Sequence, residues 1–310
     1  MPVLVYVGIL IVSLAVLLKA SDWFVAAAER IGLSFGISPF IIGVTIVAFG
    51  TSLPELASSI AAVLDNESSI VLGNVLGSNI TNVTLILGVV AVVGGTIHFR
   101  KDVMNIDMPL LLTSAALLTF TIYDRVLSLF DAFLLLSGLV IFLVYSFRSK
   151  DEEEAEEERP KVTFKSYLIV IAASALVFFG AKYTIFAVSE LAARADISPE
   201  VIALSVIALG TSLPELIVSI TAARKGRTEI AVGNVLGSNI FNTYAVMGIP
   251  PFFGQVEITE SALQFSLPFM IVITLLLAFM CLSKKISRWE GMMLLLFYAY
   301  FVSELLKDAI

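Results

Sequence analysis

Glu55 sits in "GTSLPEL" (Gly50–Leu56) and Glu215 in an identical "GTSLPEL" (Gly210–Leu216), each inside a stretch otherwise apolar enough for a bilayer. A carboxylate at such a depth is costly unless something neutralises it. No Lys or Arg occurs in 38–63, 69–94, 197–222 or 229–253, so the counter-charge must come from protons or a bound cation. Two carboxylates cancel one divalent ion. The groups available around them are all oxygens: the hydroxyls of Thr51, Ser52, Thr211 and Ser212, and Ser78, Ser238, Asn82 and Asn242 from a second doubled motif, "GNVLGSNI". Main-chain carbonyls near Ala48 and Ala208 add to the set. Hard oxygen donors without thiolate or imidazole suit Ca²⁺, Na⁺ or Mg²⁺ and argue against zinc or copper. Two charges with flexible carbonyls favour calcium over magnesium.

Other readings compete at each of these residues. Ser52-Leu53-Pro54-Glu55 fits the S-x-x-E capping box, although a glutamine would cap as well. Asn74, Asn79, Asn234 and Asn239 are expected to hydrogen-bond between helices rather than to ligate. Gly73-x-x-x-Gly77 and Gly233-x-x-x-Gly237 let helices approach closely. His98 and Cys281 are each the single residue of their type and lie far apart in sequence, which argues against a histidine zinc site and a Cys–His nucleophile. An intramembrane hydrolase would need a nucleophile with its base or an Asp pair, and these spans offer Glu and hydroxyls but no His or Lys, so no enzymatic activity is expected.

The elements that hold these residues must be membrane helices. The chain is 58% hydrophobic and 15% charged, with a mean hydropathy of +0.98, too apolar for a soluble domain. Ten stretches are long enough to span: about 3–30, 38–63, 69–94, 107–123, 129–147, 164–193, 197–222, 229–253, 261–282 and 287–306. The first lacks a charged leader and a cleavage site and is read as a span. The distribution of Lys and Arg places both termini outside. Arg100, Lys101, Arg148, Arg224, Lys225 and Lys284 then fall among the inner loops, against Arg125, Arg194 and Lys307 outside. The run "DEEEAEEERP" supplies seven of the 26 acids and reads as a solvated linker. No basic patch suits nucleic acid, and no obligatory protein partner is evident.

Shifted by 160 residues, the chain matches itself: Ile37–Asn82 pairs with Ile197–Asn242, with more than half of the positions identical. Five spans per half force the second half to enter the membrane upside down, the inverted repeat of secondary transporters. The expected fold is an all-α membrane protein. Residues 1–147 form a first five-helix repeat, 148–163 an acidic inner loop and 164–310 an inverted second repeat. Pro54 and Pro214 cannot bond the carbonyls of Gly50 and Gly210, so both motif helices are expected to break at the centre. Inverted halves suit alternating access better than a passive channel.

"GTSLPEL" followed by "GNVLGSNI.N" in both halves resembles the sodium/calcium exchanger family of the cation/calcium exchanger superfamily, in its prokaryotic type. The resemblance covers both repeats and the ten-span layout. It implies antiport of Ca²⁺ against Na⁺ without a cofactor, and first and sixth helices that slide across the other eight. It also implies four cation sites built by Ala48, Thr51, Ser52, Glu55, Ser78 and Asn82 with Ala208, Thr211, Ser212, Glu215, Ser238 and Asn242. Potassium-dependent relatives carry aspartate where this chain has Asn242, so potassium dependence is not expected. Proton/calcium relatives usually read G-N-x-x-E in place of GTSLPE; an H⁺/Ca²⁺ antiporter using the same site is the alternative.

Overall fold

The computed structural model describes residues 3–98, 107–148, 160, 162–194, 210–260 and 262–309. The described residues are helical almost throughout. Helix α1 is Val3–Ser34, α2 Pro39–Leu64, α3 Ser69–Gly94, α4 Met108–Thr121, α5 Leu129–Arg148 and α6 Phe164–Arg194. Then follow α7 Leu213–Arg224, α8 Thr228–Phe241, α9 Ala262–Cys281 and α10 Arg288–Ala309. Seven of these are long and apolar enough to cross a membrane: α1, α2, α3, α5, α6, α9 and α10. The acidic run 151–159 and Ala208 lie outside the described residues.

One departure from an all-α chain is a two-stranded antiparallel ladder. β1 (Ile97–His98) pairs with β2 (Lys285–Ile286), tying the end of α3 to the α9–α10 connection. Runs of two residues carry no strand periodicity, so nothing in the sequence announces them.

Burial separates a centre from a rim. In α8 every residue from Ile230 to Phe241 is buried, and most of α2 and α3 is buried as well. α1, α5, α6, α9 and α10 turn large apolar side chains outward, among them Ile171, Phe130, Phe279 and Leu296. Outward-facing apolar helices are what a hydrocarbon solvent requires. The two longest helices, α1 and α6, pack on each other: a Cβ at Gly180 would lie 3.0 Å from Leu17 Cα, and Thr184 Oγ1 donates to Ser13 Oγ at 2.9 Å.

Helix ends show what a capping box looks like in this chain. Glu290 N donates to Ser287 Oγ (3.3 Å) while Ser287 N donates to Glu290 Oε2 (2.7 Å) at the start of α10. Ser128 and Asp131 do the same for α5. Asp22 and Glu29 of α1 are ion-paired with Lys225 (2.8 Å) and Arg227 (2.5 Å).

α2 crosses α8 backbone to backbone. A Cβ on Gly43 would lie 3.0 Å from Asn234 N, one on Gly233 2.9 Å from Val44 N, and one on Gly237 would overlap the Val44 carbonyl. Close approach through Gly233 and Gly237 is therefore as expected. Among the described residues nothing lies within 4 Å of a Cβ on Gly73 or Gly77.

Both central helices carry wide π turns: Gly43–Val47 in α2, Asn82–Ile86 in α3 and Asn242–Val246 after α8. The last two begin on the paired site residues Asn82 and Asn242. π turns gather at functional positions because one extra residue re-aims the side chains beside it.

Candidate functional site

Neither glutamate caps its helix. Ser52 Oγ donates across the molecule to Glu215 Oε1 at 3.2 Å, and the Ser212 side chain makes no capping bond. The geometry seen at Ser287–Glu290 is absent from both copies of GTSLPE, so the capping-box reading is set aside. Ser52 lies three residues before Glu55 on one helical face. Its reach to Glu215 links the face that carries Glu55 to the opposite carboxylate.

A lattice of amides frames them, in matched pairs 160 residues apart. Asn74 Nδ2 donates to the Glu55 carbonyl (3.5 Å) and Ser59 Oγ (3.2 Å); Asn234 Nδ2 donates to the Glu215 carbonyl (3.5 Å) and Ser219 Oγ (2.9 Å). Their oxygens accept from the other half: Thr211 Oγ1 donates to Asn74 Oδ1 and Thr51 Oγ1 to Asn234 Oδ1, both at 3.1 Å. Asn82 Nδ2 donates to Asn239 Oδ1 (2.9 Å) and Asn242 Nδ2 to Asn79 Oδ1 (3.3 Å). Asn79 and Asn239 spend their own amino groups on each other's main-chain carbonyls. All four of Asn74, Asn79, Asn234 and Asn239 are thus occupied at both ends, which is the interhelical role expected of them.

What the lattice leaves over is a set of oxygens. Glu55 Oε1 and Oε2, Glu215 Oε2, Asn82 Oδ1, Asn242 Oδ1 and Ser238 Oγ are buried and have no hydrogen-bond partner among the described residues. Glu55, Glu215, Asn82 and Asn242 are each 1% exposed. Buried polar groups are nearly always satisfied, and six unsatisfied oxygens from the same doubled motifs call for a positive partner. The amino groups of Asn82 and Asn242 are held by the lattice, which leaves their oxygens as the free ends. Hard, anionic and amide oxygens form a donor set for calcium or sodium.

The halves are not equal. α2 runs without interruption from Ala48 through Pro54 to Leu64, whereas Thr211 and Ser212 form a turn and α7 starts only at Leu213. The expected break is therefore present in the second half and corrected in the first. The carbonyl that Pro54 orphans is that of Gly50, and it accepts from Ser174 Oγ of α6 at 3.0 Å. Ala48 lies inside the continuous helix, its carbonyl 3.3 Å from the Thr51 hydroxyl oxygen. Ser78 and Thr211 share a hydroxyl contact of 3.2 Å; Thr211 spends its proton on Asn74, so Ser78 is the donor.

The sequence matches the sodium/calcium exchanger protein family over residues 5–148 and 165–306. It is 36% identical to the sodium/calcium exchanger MaX1 of Methanosarcina acetivorans, covering 95% of this chain and 96% of that protein. The inner membrane protein YrbG of Escherichia coli is 34% identical, over 93% and 92%. The structure superposes on the sodium-calcium exchanger NCX_Mj soaked with Na⁺ and Sr²⁺ at a TM-score of 0.85, with 31% identity over 97% of this chain and 99% of that one.

The chain belongs to the sodium/calcium exchanger family. It is a multi-pass integral membrane protein with the exchanger fold. Of the residues singled out in the sequence, Thr51, Ser52, Glu55, Ser78, Asn82, Thr211, Glu215 and Asn242 are joined through the contacts above, directly or through the amide lattice. Ser212 and Ser238 are buried on the same motifs without a described partner bond. Ser59, Ser219 and Thr243, to which Asn79 Nδ2 donates at 3.2 Å, escaped the sequence reading. Ser59 and Ser219 carried a usable signal: each is four residues past its glutamate, on the same face, and identical in both halves.

Proposed function

We propose that the chain is a secondary antiporter that exchanges Ca²⁺ for Na⁺ by alternating access. The observation that carries this reading is the six partnerless oxygens gathered from both halves around Glu55 and Glu215. Two carboxylates neutralise one Ca²⁺, and the oxygens of Thr51, Ser52, Ser78, Asn82, Thr211, Ser212, Ser238 and Asn242 complete the shells of Ca²⁺ or Na⁺. The main-chain carbonyls of Ala48 and Ala208 have a second lone pair for the same purpose. The architecture that goes with it is ten spans in two inverted five-helix repeats, 1–147 and 164–310, joined by the inner loop 148–163, with both termini outside. The 160-residue spacing of every paired contact supports that symmetry. The sodium/calcium exchanger relatives support the choice of ions.

Proton coupling through the same glutamates is the alternative. It leaves the doubled hydroxyl and amide oxygens without work, which favours sodium. Calcium uptake into liposomes distinguishes the two. An outward sodium gradient at constant pH drives uptake if sodium is the coupling ion, and a potassium diffusion potential alters the rate if three Na⁺ are exchanged for each Ca²⁺. Uptake that follows a pH gradient and ignores sodium would overturn the proposal in favour of protons.

A further inference from the structure

We propose that Ser174 is a positioning residue: its hydroxyl stands in for the backbone N–H that Pro54 lacks, keeping α2 in one piece under Glu55 and tying α6 to it. The inference rests on the cation site proposed above. Proline removes the donor for the carbonyl four residues earlier, and a carbonyl left unpaired in hydrocarbon surroundings is strongly disfavoured. Ser174 Oγ meets that carbonyl, Gly50 O, at 3.0 Å.

The surroundings offer no substitute. Ser174, Gly50 and Pro54 line one cavity of about 680 Å³ whose other walls include Phe24, Phe49, Leu53, Ile171 and Phe178. Such walls do not hold water, which needs several polar partners. Gly50 is itself part of the arrangement, since a Cβ there would lie 2.5 Å from Phe24 Cζ and 3.5 Å from Ser174 Oγ.

The two copies of the motif differ here. In the first, the donor accompanies an unbroken helix; in the second, Thr211 and Ser212 turn before α7 begins. Thr51, Ser52 and Glu55 follow Gly50 within about a turn and a half, so their aim depends on that turn staying closed.

The test is a mutant cycle with Pro54→Ala, which restores the missing N–H and makes a side-chain donor redundant. Two readouts are taken: amide hydrogen exchange across residues 48–58 in ion-free detergent, and the half-saturating Ca²⁺ concentration for exchange. Ser174→Ala is expected to speed hydrogen exchange there and to raise the half-saturating concentration at least about fivefold, the low end of what an unsatisfied buried carbonyl forfeits. Ser174→Thr, which keeps the hydroxyl, and the double variant Ser174→Ala/Pro54→Ala are expected to restore both. An effect of Ser174→Ala that is equally large in the Pro54→Ala background would overturn the proposal, because packing alone would then explain it. So would unchanged hydrogen exchange in Ser174→Ala. If the wild-type protein moves no Ca²⁺, the functional proposal fails, and hydrogen exchange still decides the role of Ser174.

Discussion

The two copies of GTSLPE are identical in sequence and different in conformation. In the first, the helix passes through proline unbroken and Ser52 reaches across to the opposite glutamate. In the second, the same serine position lies in a turn and makes no described return bond to Glu55. Seven identical letters thus adopt two backbones, and in the first α6 offers a hydroxyl to the carbonyl that proline orphans. Local sequence sets the possibility of a break, and tertiary context decides whether it occurs.

Against that asymmetry the amide lattice is regular, with Asn74 matching Asn234 and Asn79 matching Asn239 in nearly every contact. The symmetric part frames the carboxylates, and the unequal part is where one sequence takes two backbone arrangements. Transport calls for both: a fixed geometry for the ion and an element with two arrangements.

The largest expected effect tests whether the halves share one site. Glu55→Gln and Glu215→Gln each keep size and hydrogen-bonding capacity while removing half the negative charge. Leaving a buried ion short of a partner costs about 3–5 kcal/mol, more than a hundredfold in affinity, so each variant should fold and lose calcium flux in liposomes. Near-normal flux in either one would mean that a single half suffices.

A smaller effect sharpens the difference between the halves. Ser52→Ala removes a hydroxyl bonded to a carboxylate, an interaction of about 1.5–3 kcal/mol, and should weaken calcium binding roughly tenfold or more. Ser212→Ala removes a hydroxyl with no such bond and should cost about two- to threefold, the low end of the scale of a neutral contact. Equal losses, read by titration calorimetry, would show that the halves become alike once the ion is bound.

How much of this was legible in the sequence follows the same division. The central glutamates, their hydroxyl and amide companions and the helices that carry them could be read because membrane burial makes any polar residue conspicuous. The structural role of Asn74, Asn79, Asn234 and Asn239 was legible for that reason too. The continuity of α2 was not, since a proline in an apolar helix signals a missing donor and says nothing of Ser174, 120 residues further along. The π turns beginning at Asn82 and Asn242 escaped because one extra residue in a helix buried on nearly all sides leaves no mark on periodicity. The β1–β2 ladder escaped because it depends on where two distant connections meet.

The smallest expected effect concerns the acidic run. Replacing Glu152–Glu158 with a neutral Gly/Ser linker should leave the calcium affinity nearly unchanged, because charges in water are screened over about 8 Å at physiological salt. A large loss in equilibrium binding would make the acidic run part of the ion pathway and give the two halves an unequal approach.

The central claim is that the two unequal halves close on a single divalent ion that sodium displaces. Equilibrium binding of radiolabelled calcium to the purified protein at constant pH measures it directly. The account predicts one Ca²⁺ per chain, displaced steeply by added Na⁺ and insensitive to K⁺. Two independent calcium ions per chain, one for each half, or calcium that protons displace and sodium does not, would contradict it.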